Sequence, residues 1–331
     1  MVETPVHNPV RIFVFSILSV VFFAGMSVFV KLAAAHHAIV EIMFFRNAMA
    51  ILPVLMLIQA HRDGFALLKT RRPFGHILRG TVGTGSMGLV FWSFALLPLA
   101  DATSLQFAMP LMLTALSVPL LKEVVGPWRW GAVIVGFIGV LIMAAPTGGD
   151  TNWFGIGVAL ASAFTTACTM IIVRRLGRTE HALTIVFYYS VWGAILCGAF
   201  LPWYWSPPTF ISFLYLVGTG LCGGVGQVFI TKAYAEGPAA YVAPFGYLAI
   251  IFSAFFGWAI WDSVPAWNVL AGTGVVIASG LFILWRETRQ RRHLVQDAIL
   301  ETAPTQADER EETGQTDDPV TYTQPGKEHA A

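Results

Sequence analysis

The chain has 331 residues, 56% of them apolar or aromatic and 12% charged. A soluble domain carries about 25% charged residues, and a mean hydropathy of +0.67 excludes a water-facing globule, a disordered chain and a nucleic-acid binder working through a basic surface. The net charge of +1 hides a split, because residues 287–331 hold ten of the 19 acidic and five of the 20 basic side chains. The tail is net negative and the body net positive.

A bilayer core about 30 Å thick needs roughly 20 apolar residues per helix. In chain order, charge-poor runs predict spans at 12–34, 38–59, 77–98, 101–121, 128–145, 153–173, 182–202, 210–232, 239–261 and 266–285. The expectation is an all-α membrane protein with ten transmembrane helices, its first span too long for a cleaved signal. The bilayer is its first partner. Residues 1–11 are read as a cytoplasmic N-terminus. The connection 60–76 carries His61, Arg62, Asp63, Lys69, Arg71 and Arg72, and its Phe65–Leu68 centre is expected on the membrane surface. The tail 287–331 is rich in Glu, Asp, Thr, Gln and Pro, and is expected to be disordered and cytoplasmic.

Lys and Arg cluster on one set of connections. The opposite set, near 35, 100, 149, 206 and 264, has none and shows Asp101, Asp150 and Asp262. The positive-inside rule then puts both termini in the cytoplasm of a cell with this protein in its inner membrane. Trp153, Trp203, Trp205, Trp261 and Trp267 fall at outer span ends, as interfacial anchors do.

The two halves repeat. Ala95-Leu-Leu-Pro-Leu-Ala, Glu123, Pro127, Gly131 and Gly139 are echoed by Ala233-Tyr-Ala-Glu-Gly-Pro, Asp262, Pro265, Gly272 and Gly280. Each copy, 12–146 and 153–286, would hold five spans, and an odd number inverts the second copy. Inverted repeats mark secondary transporters, with the site near the midplane between copies.

Three ionised side chains stand out inside spans, where charge is costly and points to function. Lys31 and Glu41 flank the first turn at equal distances. They are assigned as an ion pair or coupling site, with a hairpin fastener or outward snorkelling as the alternatives. Arg46 lies about 12–15 Å past the turn at about 1.5 Å rise per residue, near the midplane. It cannot share a face with Glu41. It is read as a substrate group suited to carboxylate, phosphate or imide-like partners, with a carbonyl-bonded structural arginine as the alternative.

Gln106, Gln227, Tyr188 and Tyr247 are embedded polar groups, and Trp92 is an aromatic able to stack on a flat ligand. These join Arg46 as candidate substrate contacts. Pro110 and Pro244 fall in the equivalent fourth and ninth spans as candidate hinges. Gly80, Thr84 and Gly88 in the third span, and Gly220 and Gly224 in the eighth, form small-residue faces expected to cross at the centre. His36 and His37 are read as solvated turn residues. Cys168, Cys197 and Cys222 are read as buried hydrophobes. No span holds paired catalytic groups or a metal cluster, so neither an enzyme nor a bound metal or cofactor is expected.

With these residues in place, the chain resembles the EamA-type members of the drug/metabolite transporter superfamily. Phe29-Val-Lys-Leu32, Glu41-Ile-Met-Phe-Phe-Arg46, Leu97-Pro-Leu-Ala-Asp-Ala-Thr103, Leu121-Lys-Glu123 and glycines 131, 136 and 139 carry the resemblance over 12–286. Trp261-Asp262 replaces the Gly-Glu turn of the family's second copy. The resemblance implies two inverted five-helix repeats and secondary transport of a small organic metabolite by alternating access. The wording around Arg46 and Asp101 leans toward relatives that move cofactor-like solutes such as riboflavin or S-adenosylmethionine. Export of amino acids or drugs is the alternative reading, and a non-transporting membrane receptor a further one. A homodimer is compatible with all three.

Overall fold

The computed structural model describes residues 9–121, 126–145, 152–236 and 242–302. Its elements are helices throughout, and none of the described residues is in a β-strand. Residues 1–285 make one compact unit and 286–331 another.

The first two helices, α1 (Pro9–Ala33) and α2 (Ile39–Gln59), form a hairpin closed by the turn at 34–38. A 3₁₀ turn at Gly64–Leu68 leads to α3 (Pro73–Leu96), which starts on proline, as helices tolerate at their first position. The fourth predicted span is broken. α4 (Leu99–Gln106) and α5 (Met109–Leu121) are separated at Phe107–Ala108, beside Pro110. α6 (Pro127–Ala144) completes the first half.

The second half runs α7 (Trp153–Leu176), α8 (Ala182–Tyr204) and α9 (Phe210–Glu236). A 3₁₀ turn at Ala243–Tyr247 holds Pro244 and leads into α10 (Leu248–Trp261). Asp262 caps α10 in the left-handed conformation with φ 50°. That position usually falls to glycine. α11 runs from Trp267 to Thr302.

The helix therefore continues into the segment expected to be disordered. Residues 286–302 are rich in Arg, Glu, Gln and Leu, which lose little side-chain freedom in a helix. Residues 303–331, the Lys122–Glu123 turn and Asp150 lie outside the described residues.

Among the described residues, six helical segments are long and apolar enough to cross a membrane: Val10–Ala33, Ile39–Gln59, Leu99–Leu120, Trp153–Leu176, Ala182–Tyr204 and Phe210–Ala233. Trp130–Ala144, Phe245–Trp261 and Trp267–Ile283 are apolar but shorter. α3 spans 24 residues but carries Gly80, Gly83, Thr84 and Ser86 on a buried face.

Packing interleaves the halves: α1 lies on α9, α2 on α8 and α9, α3 on α7 and α8, and α4 on α10. The small-residue faces of α3 and α9 do not chiefly meet each other, contrary to expectation. Gly80 seats the Trp192 ring of α8 and Gly88 the Met43 thioether of α2, while Gly220 and Gly224 take Met49 and Pro53 of α2. Bulky partners from α2 and α8 fill the notches, so the α3 and α9 backbones need not approach each other. α6 and α11 cross closely, and a Cβ on Gly139 would stand 2.9 Å from the Gly272 carbonyl.

The 3₁₀ turn after α2 is half docked. Phe65 is exposed, as a surface position would be, while Leu67 and Leu68 pack on Val54, Ile58 and Leu183. Thr184 and Tyr188 of α8 donate to the Leu67 and Leu68 carbonyls at 2.7 and 2.8 Å.

Candidate functional site

Arg46 is 7% exposed. It projects from α2 toward Tyr189 of α8 and Gly223 of α9, where a Cβ on Gly223 would lie in ordinary contact, 3.5 Å from its Nε. Its Nη1 donates to Asn47 Oδ1 at 3.2 Å, and Asn47 Nδ2 in turn donates to the Met43 carbonyl at 2.9 Å. The Arg46 Nε has no hydrogen-bond partner. The guanidinium sits over the Tyr189 ring, 5.5 Å from its centroid.

A second guanidinium shares that ring. Arg79 of α3 stands 4.1 Å from the Tyr189 centroid, with its Nε and Nη1 both buried and without hydrogen-bond partners. Gly83, one turn on, is what admits it, since any side chain there would collide with the guanidinium. Among the described residues no carboxylate pairs with either arginine. Cation–ring attraction is worth about 0.5–2 kcal/mol, far less than a buried charge needs. Arg79 carries no sequence signal of this role. It is the third residue of the predicted span 77–98, where a boundary charge is expected.

Lys31 and Glu41 are not a pair, which corrects the sequence reading. Lys31 Nζ donates to the carbonyls of Phe94 and Leu97, which α3 leaves open at its C-terminus. It also lies over the Trp261 ring at 5.5 Å and interacts electrostatically with Asp101. Glu41 is fully buried on the other side of the hairpin. It accepts from the Ser206 N–H at 2.7 Å, the Ser206 hydroxyl at 2.9 Å and the Ala38 N–H at 3.2 Å, with His37 Nδ1 at 3.1 Å. His37 is thus buried and engaged rather than solvated, because the turn before α2 folds its ring back onto Glu41 in the first turn of that helix.

Asp101 keeps one carboxylate oxygen without a partner. It lines a cavity of about 340 Å³ with Asn152, Asn268, Pro98 and Met143. Glu41, with its donors in place, is the more fully satisfied carboxylate of the two.

The remaining candidates divide. Gln106 is committed to α7, donating to Ser162 at 2.9 Å. Gln227 is half-buried on α9. Tyr188 spends its hydroxyl on Leu68, and its ring packs on His76 at 4.6 Å. It holds the loop, while its neighbour Tyr189 faces the arginines. Trp92 is 41% exposed and edge-on to exposed Phe154 at 5.2 Å, so it stands on the bundle surface rather than around Arg46. Tyr247 stacks on Phe107 at 5.0 Å, and this joins the break between α4 and α5 to the 3₁₀ turn holding Pro244.

The EamA-like transporter family model matches the chain twice, over residues 11–145 and 153–285. The chain belongs to the EamA-like transporter family. It is an integral, multi-pass membrane protein of a family that transports metabolites. Solute carrier family 35 member G1 of Homo sapiens is 31% identical over 81% of this chain and 77% of that protein. The pseudopaline exporter CntI of Pseudomonas aeruginosa is 30% identical over 80% of this chain and 92% of its own length. The S-adenosylmethionine uptake transporter of Rickettsia felis is 30% identical over 76% and 86%. One solved crystal structure superposes with a TM-score of 0.55 at 17% identity, over 82% of this chain and 98% of that one, which bears on the fold alone. Within the EamA-like chain, Arg46 and Arg79 come from the first matched stretch, and Tyr189 and Gly223 from the second.

Proposed function

We propose that this EamA-like protein carries a small organic metabolite across the cytoplasmic (inner) membrane by alternating access, with Arg46 at the substrate site. The observation that carries the reading is the guanidinium buried between the two matched stretches with its Nε unspent. Secondary transporters place their site at such a repeat interface. A relative named for S-adenosylmethionine uptake supports a cofactor-like solute such as S-adenosylmethionine.

Ten spans in two inverted repeats, 12–146 and 153–286, complete the proposal. Counting α4 with α5 as one span, and the Ala243–Tyr247 turn with α10 as another, the packing supports a two-fold relation. Exchanging the halves turns the α1–α9 contact into α7–α3, α2–α9 into α8–α3, and α1–α10 into α7–α5, each of which is present. Both termini then face the cytoplasm, and a C-terminal reporter is expected to be inaccessible from outside the cell.

In this scheme the His37–Glu41–Ser206 cluster ties the first hairpin to the α8–α9 connection on the outer side. The facing breaks at Phe107 and Tyr247 are where the helices bend, with Pro110 and Pro244 as hinges. Asp101 is the coupling carboxylate. The test is counterflow in proteoliposomes with labelled vitamins, nucleosides, amino acids and S-adenosylmethionine. At least one solute is expected to exchange, and Arg46→Ala to abolish that exchange at unchanged membrane expression. Normal exchange by Arg46→Ala would remove Arg46 from the site.

A further inference from the structure

We infer that Arg46 and Arg79 together form an oxyanion site, so that the transported metabolite presents a carboxylate or phosphate group to both guanidinium groups beside Tyr189. This rests on the carrier reading above and specifies its substrate class. Both cations lie against one ring, at 5.5 and 4.1 Å from its centroid. Their central carbons are therefore within about 10 Å of each other, near enough for like charges to repel in a low-dielectric interior. Three buried guanidinium nitrogens, one on Arg46 and two on Arg79, have no hydrogen-bond partner.

The other polar neighbours are already committed. Asn47 is shared between Arg46 and the Met43 carbonyl, and the Tyr189 hydroxyl is turned to the Met87 sulfur at 3.3 Å. Gly83 gives the Arg79 guanidinium the room that a Cβ there would take, and Gly223 on a different helix lies in ordinary contact with Arg46. A single oxyanion between them would satisfy the free donors and screen the repulsion, with the planar fork matching carboxylate or phosphate oxygens. Arg79 would select for the anion, since Arg46 alone also suits a neutral imide-like group.

The test titrates the purified full-length protein with potassium citrate and, separately, potassium phosphate, at ionic strength held constant with potassium chloride, while thermal unfolding is followed. A saturable rise in the unfolding midpoint is expected with at least one of the two salts. A rise with citrate alone assigns the site to carboxylates, and one with phosphate alone to phosphate esters. In Arg79→Gln the apparent Kd is expected to weaken by about tenfold or more, the scale of a lost charge-assisted hydrogen bond. Arg79→Lys should fall between, keeping the charge and losing the fork, and it gives the result should Arg79→Gln not elute as a single species. No saturable rise with either salt, or unchanged affinity in both variants, overturns the inference. Solute exchange by the wild-type protein is measured in parallel. Exchange without anion binding overturns the oxyanion site and leaves the carrier standing, whereas anion binding without exchange of any solute leaves the site and removes the carrier.

Discussion

Glu41 shows how a buried ionised residue can be structural. Its carboxylate meets the Ser206 N–H and hydroxyl and the Ala38 N–H. Glu41→Ala leaves two part-buried backbone donors unmet, at up to about 1–3 kcal/mol for a group so orphaned. A clear drop in unfolding midpoint is expected, while Ser206→Ala, which spares the backbone bond, should cost less. Glu180 in the α7–α8 turn gives a pH prediction. Burial pushes its carboxyl up, but the Arg71 N–H, the Thr70 hydroxyl and His76 outweigh that and hold it below its ordinary value. A depressed carboxyl contributes stability above its unfolded pKa, near 4.5, and loses it as pH falls through the folded value. Glu180→Gln should therefore flatten the loss of stability below about pH 4.5, and a midpoint–pH curve identical to wild type would count against it.

At the scale of the helix, glycines in α6 separate packing from propensity. A Cβ at Gly139 meets the Gly272 carbonyl at 2.9 Å, whereas one at Gly131 meets nothing within 4 Å. Gly139→Ala is expected to destabilise by about 1–3 kcal/mol through overpacking, because a backbone carbonyl cannot swing aside. Gly131→Ala should be neutral or raise stability by up to about 1 kcal/mol from helix propensity. Equal shifts in the two unfolding midpoints would show that α6 and α11 do not cross there. The prolines divide in the same way. Pro53 lies inside unbroken α2, while Pro110 and Pro244 accompany the interruptions of the fourth and ninth spans. Sequence could count these prolines, but which of them coincide with a break depends on what the neighbouring helices supply to the freed carbonyls.

At the scale of the molecule, helices from the two matched stretches pack on one another, so the neighbours of Arg46 include both first-half and second-half residues. An engineered disulfide between α1 and α9 would thus tie the halves together, and it is expected to stop exchange reversibly on oxidation. Exchange that continues at full rate after complete cross-linking would mean that these helices move as one body. The interleaving also explains what was hidden in the chain. Lys31 finds carbonyls more than sixty positions away and Glu41 finds Ser206 more than 160 away, distances over which residue spacing carries no information.

Composition and spacing were enough to establish a polytopic helical membrane protein, the likeness of its halves, and the cost of an arginine at Arg46. Those conclusions follow from how much charge and how many apolar residues in a row a bilayer tolerates, which are properties of the chain alone. Partnership was decided by the tertiary structure. It gave Lys31 to carbonyls and Asp101, and gave Glu41 to Ser206. It drew Arg79 in from a span edge to stand beside Arg46. A long side chain reaches several ångströms from its own helix, and only the packing of the neighbours fixes what it meets.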